Sequence, residues 1–229
     1  MTYDRCEKNL IKKRTLFVEQ NAALIIFVKN PLPGRVKTRL AKDIGEQKAL
    51  EVYLKLVDHT RRVACSLPVH IHVFYSDFID KDDGWSDSKL FRHLQNGRNL
   101  GDRMYHAFEN IFNRGYQKAV IIGSDCLELQ PKHVNKAFNI LNFYKAVIGP
   151  ARDGGYYLLG MRSLLPAVFK NKTWSTGSVF DDTIRNFQEE NITWQELPLL
   201  RDVDTVKDWD ELQRTVEHKP GRKSGNKSS

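Results

Sequence analysis

The chain has 229 residues, 41% of them hydrophobic and 28% charged, a composition that supports one sizeable core and excludes global disorder. No apolar run approaches membrane-span length, and the polar first residues lack a secretory hydrophobic region. The net charge of +8 is concentrated at the ends: residues 1–20 carry +2 and residues 213–229 carry +4, so only +2 remains between them.

The basic tail has no aromatic residues among its cations, so it offers no stacking platform for nucleic acid, and no nucleic-acid partner is expected. Cys6, Cys65 and Cys126 are odd in number and widely spaced, which fits neither a disulfide framework nor a zinc set. A cytoplasmic location is the natural expectation. The sequence carries no signal for an oligomeric state.

Residues 1–20 read as an N-terminal extension, in which Leu10, Ile11, Phe17 and Val18 could pack on a domain spanning 21–216, with 217–229 as a flexible basic tail. Residues 23–29 form an apolar strand. Residues 46–66 predict a helix with Leu50, Tyr53, Leu54, Val57 and Val63 on one side. Residues 69–75 alternate as a strand, and 77–89 read as a surface loop. A helix over 99–115 is capped by Asn99 and stopped by Gly115. Residues 119–123 are a short buried strand, and Pro131 opens a helix reaching about 143. Strands over 146–149 and 156–160, a helix over 181–190, a strand over 192–197 and a helix over 205–216 complete the chain. Strands spaced by helices predict an α/β sandwich with a mostly parallel sheet covered on both faces.

Five segments carry candidate chemistry. The loop after the first strand holds Lys29, Arg35, Lys37 and Arg39. Cations at the carboxyl end of a buried strand suit a nucleotide phosphate, although a solvated basic loop has the same composition. Val36 stands where a Walker A loop needs glycine, so Lys37-Thr38 is not a P-loop. Asp125 follows the strand at 119–123 and could hold Mg²⁺ together with substrate phosphate oxygens, or could cap the turn. Cys126 beside it reads as a structural thiol. Asp202 and Asp204 alternate on an extended segment: Asp202 is the candidate second metal ligand, and Asp204 either caps the following helix or supports the metal ligands from behind. The Asp153-Gly154-Gly155 triplet reads first as a hairpin turn, or as a place where substrate approaches the backbone. Finally, 95–104 places Gly97, Arg98, Gly101 and Arg103 at a helix start, which suits an anion or a base edge, or is a capped surface helix. His70 and His72 share a strand face without a third metal ligand and read as surface histidines. Ser175 and Thr176 could line an acceptor pocket.

In order along about residues 22–212, these blocks are Lys29-Asn30-Pro31-Leu32, Lys37-Thr38-Arg39-Leu40, Gln95-x-Gly97-x-x-Leu100-Gly101-x-Arg103-Met104, Gly123-Ser124-Asp125-Cys126, Gly149-Pro150-x-x-Asp153-Gly154-Gly155-Tyr156-Tyr157-Leu158 and Asp202-Val203-Asp204-Thr205. Together they resemble the small GT-A-like transferases known as rSAM/selenodomain-associated transferases. The chain is more distantly similar to phospholactate guanylyltransferases and molybdopterin nucleotidyltransferases. The resemblance implies a nucleotide-diphospho-sugar transferase fold, a GT-A, Rossmann-like three-layer sandwich with a mixed sheet. It implies a base and ribose pocket at Val28, Lys29, Asn30, Gln95, Gly97, Leu100, Gly101 and Arg103, with Lys37 and Arg39 on phosphates. It puts Asp125 on Mg²⁺ (or Mn²⁺), aided by Asp202, and Asp153, Gly154 and Gly155 beside the acceptor. Two departures stand out: Leu127 replaces a common proline, and the Asp-x-Asp of many glycosyltransferases is missing at 124–127. The expected activity is metal-dependent transfer from a nucleotide-activated substrate. Nucleotidyl transfer from an NTP to a small phosphorylated or hydroxyl acceptor leads. Glycosyl transfer from an NDP-sugar is the alternative, and nucleotide binding without turnover a further one.

Overall fold

The computed structural model describes residues 19–85, 90–170 and 172–217. The proposed packing of the N-terminal extension, Cys6 and the basic tail from residue 218 lie outside the described residues. The elements run β1 (Glu19–Val28), α1 (Thr38–Ile44), α2 (Glu46–Cys65), β2 (Val69–Tyr75), β3 (Leu90–Leu94), α3 (Leu100–Asn113), β4 (Lys118–Ile122), α4 (Pro131–Ile140), β5 (Ala146–Pro150), β6 (Tyr156–Met161), a 3₁₀ turn (Pro166–Phe169), α5 (Val179–Glu189), β7 (Trp194–Glu196) and α6 (Val206–Glu217). β1 therefore begins two residues inside the stretch read as an extension.

The seven strands form one sheet in the order β3-β2-β1-β4-β6-β5-β7. β1 pairs in parallel with β2 and β4, β2 with β3, and β5 with β7. β6 runs antiparallel to both β4 and β5. The sheet is thus mixed and mostly parallel, as expected.

Alternation along β1 builds the two faces. Ala22, Leu24, Ile26 and Val28 pack with Val63 and Ala64 of α2 and Val134, Ala137 and Phe138 of α4. Ala23 and Ile25 pack on the other side with Met104, Ala107, Phe108 and Ile111 of α3 and Phe187 of α5. These are the three layers. A smaller cluster of Leu40, Ala49, Val52, Leu56 and Val203 ties α1 and α2 to the segment before α6.

Two elements differ from expectation. The buried face of α2 is Ala49, Val52, Tyr53, Leu56, Thr60, Val63 and Ala64, while Leu54 is 47% exposed. The expected face of Leu50, Leu54 and Val57 is thus corrected: Val63 and Ala64 pack in the cluster on the sheet, while Ala49, Val52 and Leu56 pack against Leu40 and Val203. β3 was not anticipated, because Leu-Phe-Arg-His-Leu lacks both alternation and β-branched residues. It forms as an edge strand, paired with β2 alone.

No helix among the described residues is long and apolar enough to cross a membrane.

Candidate active site

The carboxyl ends of β1, β2, β3 and β4 lead into one cavity of about 720 Å³. This is where open α/β sheets bind ligands, since the loops leaving parallel strands splay apart there. Among the predicted residues, Val28, Lys29, Lys37, Arg39, Gln95, Leu100, Arg103, Asp125, Asp153, Gly155, Ser175, Thr176 and Asp202 line it. Segments far apart in sequence thus meet around one space.

Lys37 is the best-fixed cation. Its Nζ stands 2.9 Å from Asp125 Oδ2, and its side chain is only 4% exposed. The residue ends the β1 loop in a left-handed conformation, φ 47° and ψ 46°, immediately before α1. A lysine held there carries local backbone strain. Arg39, two residues further, is exposed and pairs with Asp204 at 2.7 Å. Asp204 lines the same cavity, and of its two expected roles the helix cap is corrected. Instead, the Thr205 hydroxyl and the Asp208 carboxylate cap α6 reciprocally, with Asp208 Oδ2 accepting from the Asp204 and Thr205 amides.

Asp125 and Asp202 share the cavity. The Val203 amide donates to the Asp125 carbonyl at 3.0 Å, which draws the two segments together. Burial pushes the Asp202 carboxyl up to about 7, the charges of Asp125 and Asp153 add to the shift, and Lys37 opposes it. A carboxylate destabilised by its neighbours is the setting a cation relieves. No group of three or more His, Cys, Asp or Glu among the described residues is placed to hold a metal by itself. Two carboxylates leave room for phosphate oxygens and water, the usual company of Mg²⁺. The Cys126 thiol is buried and, mainly for that reason, held well above the ordinary thiol range, which fits the structural role expected of it.

Several predicted nucleotide contacts also brace the loops around the cavity. Asn30 is buried and outside the cavity lining. Its Oδ1 accepts from the amides of Asp77 and Phe78, and its Nδ2 donates to the Phe78 carbonyl, tying the loop after β1 to the loop after β2. Gln95 lines the cavity, but its Nε2 donates to the carbonyls of Val28 and Phe74. Arg103 donates from Nε to the Gly97 carbonyl, which fixes the turn before α3. Gly97 and Gly101 stand behind the lining. A Cβ on Gly101 would lie 2.2 Å from the Trp174 ring, so this glycine seats the indole. Asn99 Oδ1 accepts from the Asp102 amide and caps α3 as expected.

The Asp-Gly-Gly segment is both things it could be. It turns between β5 and β6, with the Gly154 amide donating to the Ala151 carbonyl, and Asp153 and Gly155 line the cavity. Gly154 itself lies outside the lining, at φ 85°, where a Cβ would stand 2.0 Å from the Gly177 carbonyl oxygen. That close approach brings the segment bearing Ser175 and Thr176 against the turn.

Tyr53 was read only as part of an apolar face. Its phenol oxygen accepts from the Lys29 amide and donates to the Lys29 carbonyl, both at 2.8 Å, and lies 3.4 Å from Ser124 Oγ. It therefore braces the ends of β1 and β4 across the cavity floor. A tyrosine at a core position has no sequence signal separating this role from packing. Trp174 also lines the cavity, and Lys172 Nζ lies 5.4 Å from its ring centroid.

The two strand histidines behave differently from expectation. His72 is buried. Its Nδ1 lies 3.0 Å from His93 Nε2, and its Nε2 lies 3.1 Å from the Tyr116 phenol, which in turn meets His70. β3 supplies His93, so this cluster was invisible while that strand was unrecognised.

Residues 59–176 match the family described as uncharacterized protein conserved in bacteria (DUF2064). A Desulfovibrio desulfuricans crystal structure assigned to the nucleotide-diphospho-sugar transferases superposes with a TM-score of 0.81 at 36% identity, covering 90% of this chain and 92% of that one. The 4-diphosphocytidyl-2C-methyl-D-erythritol synthase of Anaerococcus prevotii shares the fold at a TM-score of 0.54 and 12% identity, over 86% of this chain and 96% of that one. The 2-phospho-L-lactate guanylyltransferase of Methanocaldococcus vulcanius is 22% identical over 140 residues, which span 61% of each chain. The match thus covers about three fifths of that relative's length. The chain belongs to the DUF2064 family and is built on the nucleotide-diphospho-sugar transferase fold.

Proposed function

We propose that this protein is a Mg²⁺-dependent transferase that uses a nucleotide-activated donor, and that it transfers a nucleotidyl group from an NTP. The observation that carries the reading is the buried Lys37 ammonium at 2.9 Å from Asp125, with Lys29, Arg39 and Arg103 on the same cavity. Such a wall neutralises a polyphosphate, and phosphoryl transfer depends on charge neutralisation and positioning more than on covalent chemistry. Lys37 and Arg39 hold phosphate oxygens. Asp125 and Asp202 would hold the metal, which supplies Lewis-acid polarisation of the phosphoryl group when bound. The guanylyltransferase relative supports the nucleotidyl reading, and the Desulfovibrio relative supports a second one, glycosyl transfer from an NDP-sugar. The absence of Asp-x-Asp at 124–127 favours the first.

The test is thermal stability with Mg²⁺ across NTPs and NDP-sugars. A ligand at 100 times its Kd adds about 2.7 kcal/mol. Stabilisation by one NTP, lost in Asp125→Asn, supports nucleotidyl transfer and identifies the base. Stabilisation by an NDP-sugar and not by its NTP moves the assignment to glycosyl transfer. No shift with any nucleotide overturns both.

A further inference from the structure

The segment from Lys172 to Gly177 holds one indole in place by several means. Trp174 is half-buried and lines the cavity, so part of its ring is open to it. The Nε1–Cε2–Cζ2 edge of the ring rests on Gly101, the second residue of α3, where a Cβ would lie 2.2 Å from it. Lys172 Nζ stands over the ring, 5.4 Å from its centroid. The same ammonium donates to the Val168 carbonyl at 2.9 Å and to the Thr183 hydroxyl at 2.6 Å. Burial lowers its pKa to about 8, against the charge of Asp182. Ser175, next in the chain, has a left-handed φ of 65°, and the Gly177 carbonyl packs against Gly154.

Space-filling alone calls for neither a buried ammonium nor a left-handed serine, and both oppose stability. The surroundings show what such fixing serves. Tyr156 reaches the same helix, its hydroxyl donating to Met104 Sδ at 3.7 Å. Leu100, Tyr156 and Trp174 line the cavity together with Arg103, which lies two residues beyond Gly101. The indole covers the Gly101 backbone, so a ring approaching the start of α3 meets the indole before the peptide. A flat aromatic face attracts the π-face of a nucleobase whatever the base.

We infer that Trp174 is the stacking platform for the nucleobase of the donor, and that Lys172 is a positioning residue that fixes the indole for it. This rests on the reading of the cavity as the donor site. An NTP and an NDP-sugar both carry the base, so the inference is the same for either transfer.

The experiment compares two ligands by calorimetry in the presence of Mg²⁺: the nucleotide that stabilises the protein, and inorganic tripolyphosphate, which has a phosphate chain and no base. Trp174→Ala is expected to weaken the nucleotide by about tenfold or more, the usual worth of one stacked base, and to leave tripolyphosphate unchanged. Trp174→Phe, which keeps a flat ring, recovers most of the loss. Lys172→Met keeps the stem without the charge and is expected to weaken the nucleotide selectively as well. Should Trp174→Ala fail to fold, the native chain decides: the nucleotide, and not tripolyphosphate, quenches a tryptophan emission that Trp174→Phe lacks. Unchanged nucleotide affinity in folded Trp174→Ala, an equal loss for both ligands, or no such quenching overturns the inference. A loss seen with an NDP-sugar and not with its NDP assigns the indole to the sugar and overturns it too. A native chain that binds no nucleotide overturns the donor reading itself, so the two failures are distinguishable.

Discussion

Lys37 Nζ and Asp125 Oδ2 lie 2.9 Å apart, joining a loop after the first strand to a turn after the fourth. The lysine reaches that position from a left-handed backbone conformation. Strain accepted at a charged, buried side chain is typical of a site where position matters more than stability.

Lys37→Ala and Asp125→Asn are each expected to lower nucleotide-dependent turnover by about 10²–10³, the usual cost of removing one electrostatic element from a phosphoryl-transfer site. Steady-state kinetics with the stabilising nucleotide checks this, and near-normal turnover removes that residue from the mechanism. Lys37→Gly, equally lacking the ammonium, should be more stable than Lys37→Ala by up to about 1 kcal/mol, because glycine accepts φ 47° without strain. Urea midpoints of the two variants decide it.

Tyr53→Phe leaves the ring in place but deletes the hydroxyl that binds both the amide and the carbonyl of Lys29. Leaving those part-buried groups without the hydroxyl should cost about 1 kcal/mol of stability. Because the same hydroxyl braces the cavity floor, the KM for nucleotide should rise as well. A variant with native stability and kinetics would reduce Tyr53 to packing.

Gly154 and Gly45 share φ 85° but differ in surroundings. At Gly154 an added Cβ meets the Gly177 carbonyl at 2.0 Å, whereas at Gly45 nothing lies within 4 Å. Gly45→Ala should cost about 1–3 kcal/mol, the backbone penalty of a positive-φ extended conformation (φ 85°, ψ 156°) that is essentially reserved for glycine. Gly154→Ala must also push the 175–177 segment off the cavity, so it should cost at least twice as much and impair turnover. Equal losses from the two substitutions would count against the close packing of those turns.

Acid should destabilise the fold through His72. Burial, helped by His93, Arg114 and His70, lowers its pKa to about 3. The unfolded value is higher, about 6.5, so the unfolded chain binds the proton first. The stabilisation is complete above pH 6.5 and is lost as pH falls toward 3. This one group accounts for about 2 kcal/mol between pH 7 and pH 5. His72→Phe should flatten the pH dependence of the denaturation midpoint over that interval, and an unchanged slope would assign the acid lability elsewhere.

The sequence by itself determined most of the architecture. The apolar run at 23–29, the Pro131 helix start, the Asn99 cap and the strand–helix alternation are local signals, each backed by its own period or capping chemistry. They led to the observed sheet and to the charged residues Lys29, Lys37, Arg39, Asp125 and Asp202 that line the cavity, because loops at strand ends announce themselves by glycine, proline and charge. The remainder depended on neighbours distant in sequence. β3 exists because β2 offers it an edge, and with it comes the buried histidine cluster. Asn30 and Gln95 look like polar ligand contacts, but the Asn30 amide is engaged by the backbone of the loop after β2 and the Gln95 amide by carbonyls of β1 and β2. Asp204 was free to cap a helix until Arg39 stood beside it. Tertiary structure also decided that Lys29, Lys37, Arg39 and Arg103 share one cavity with Asp125, Asp153 and Asp202. Local periodicity sets where elements form, whereas pairing between polar groups is fixed only when the chain closes.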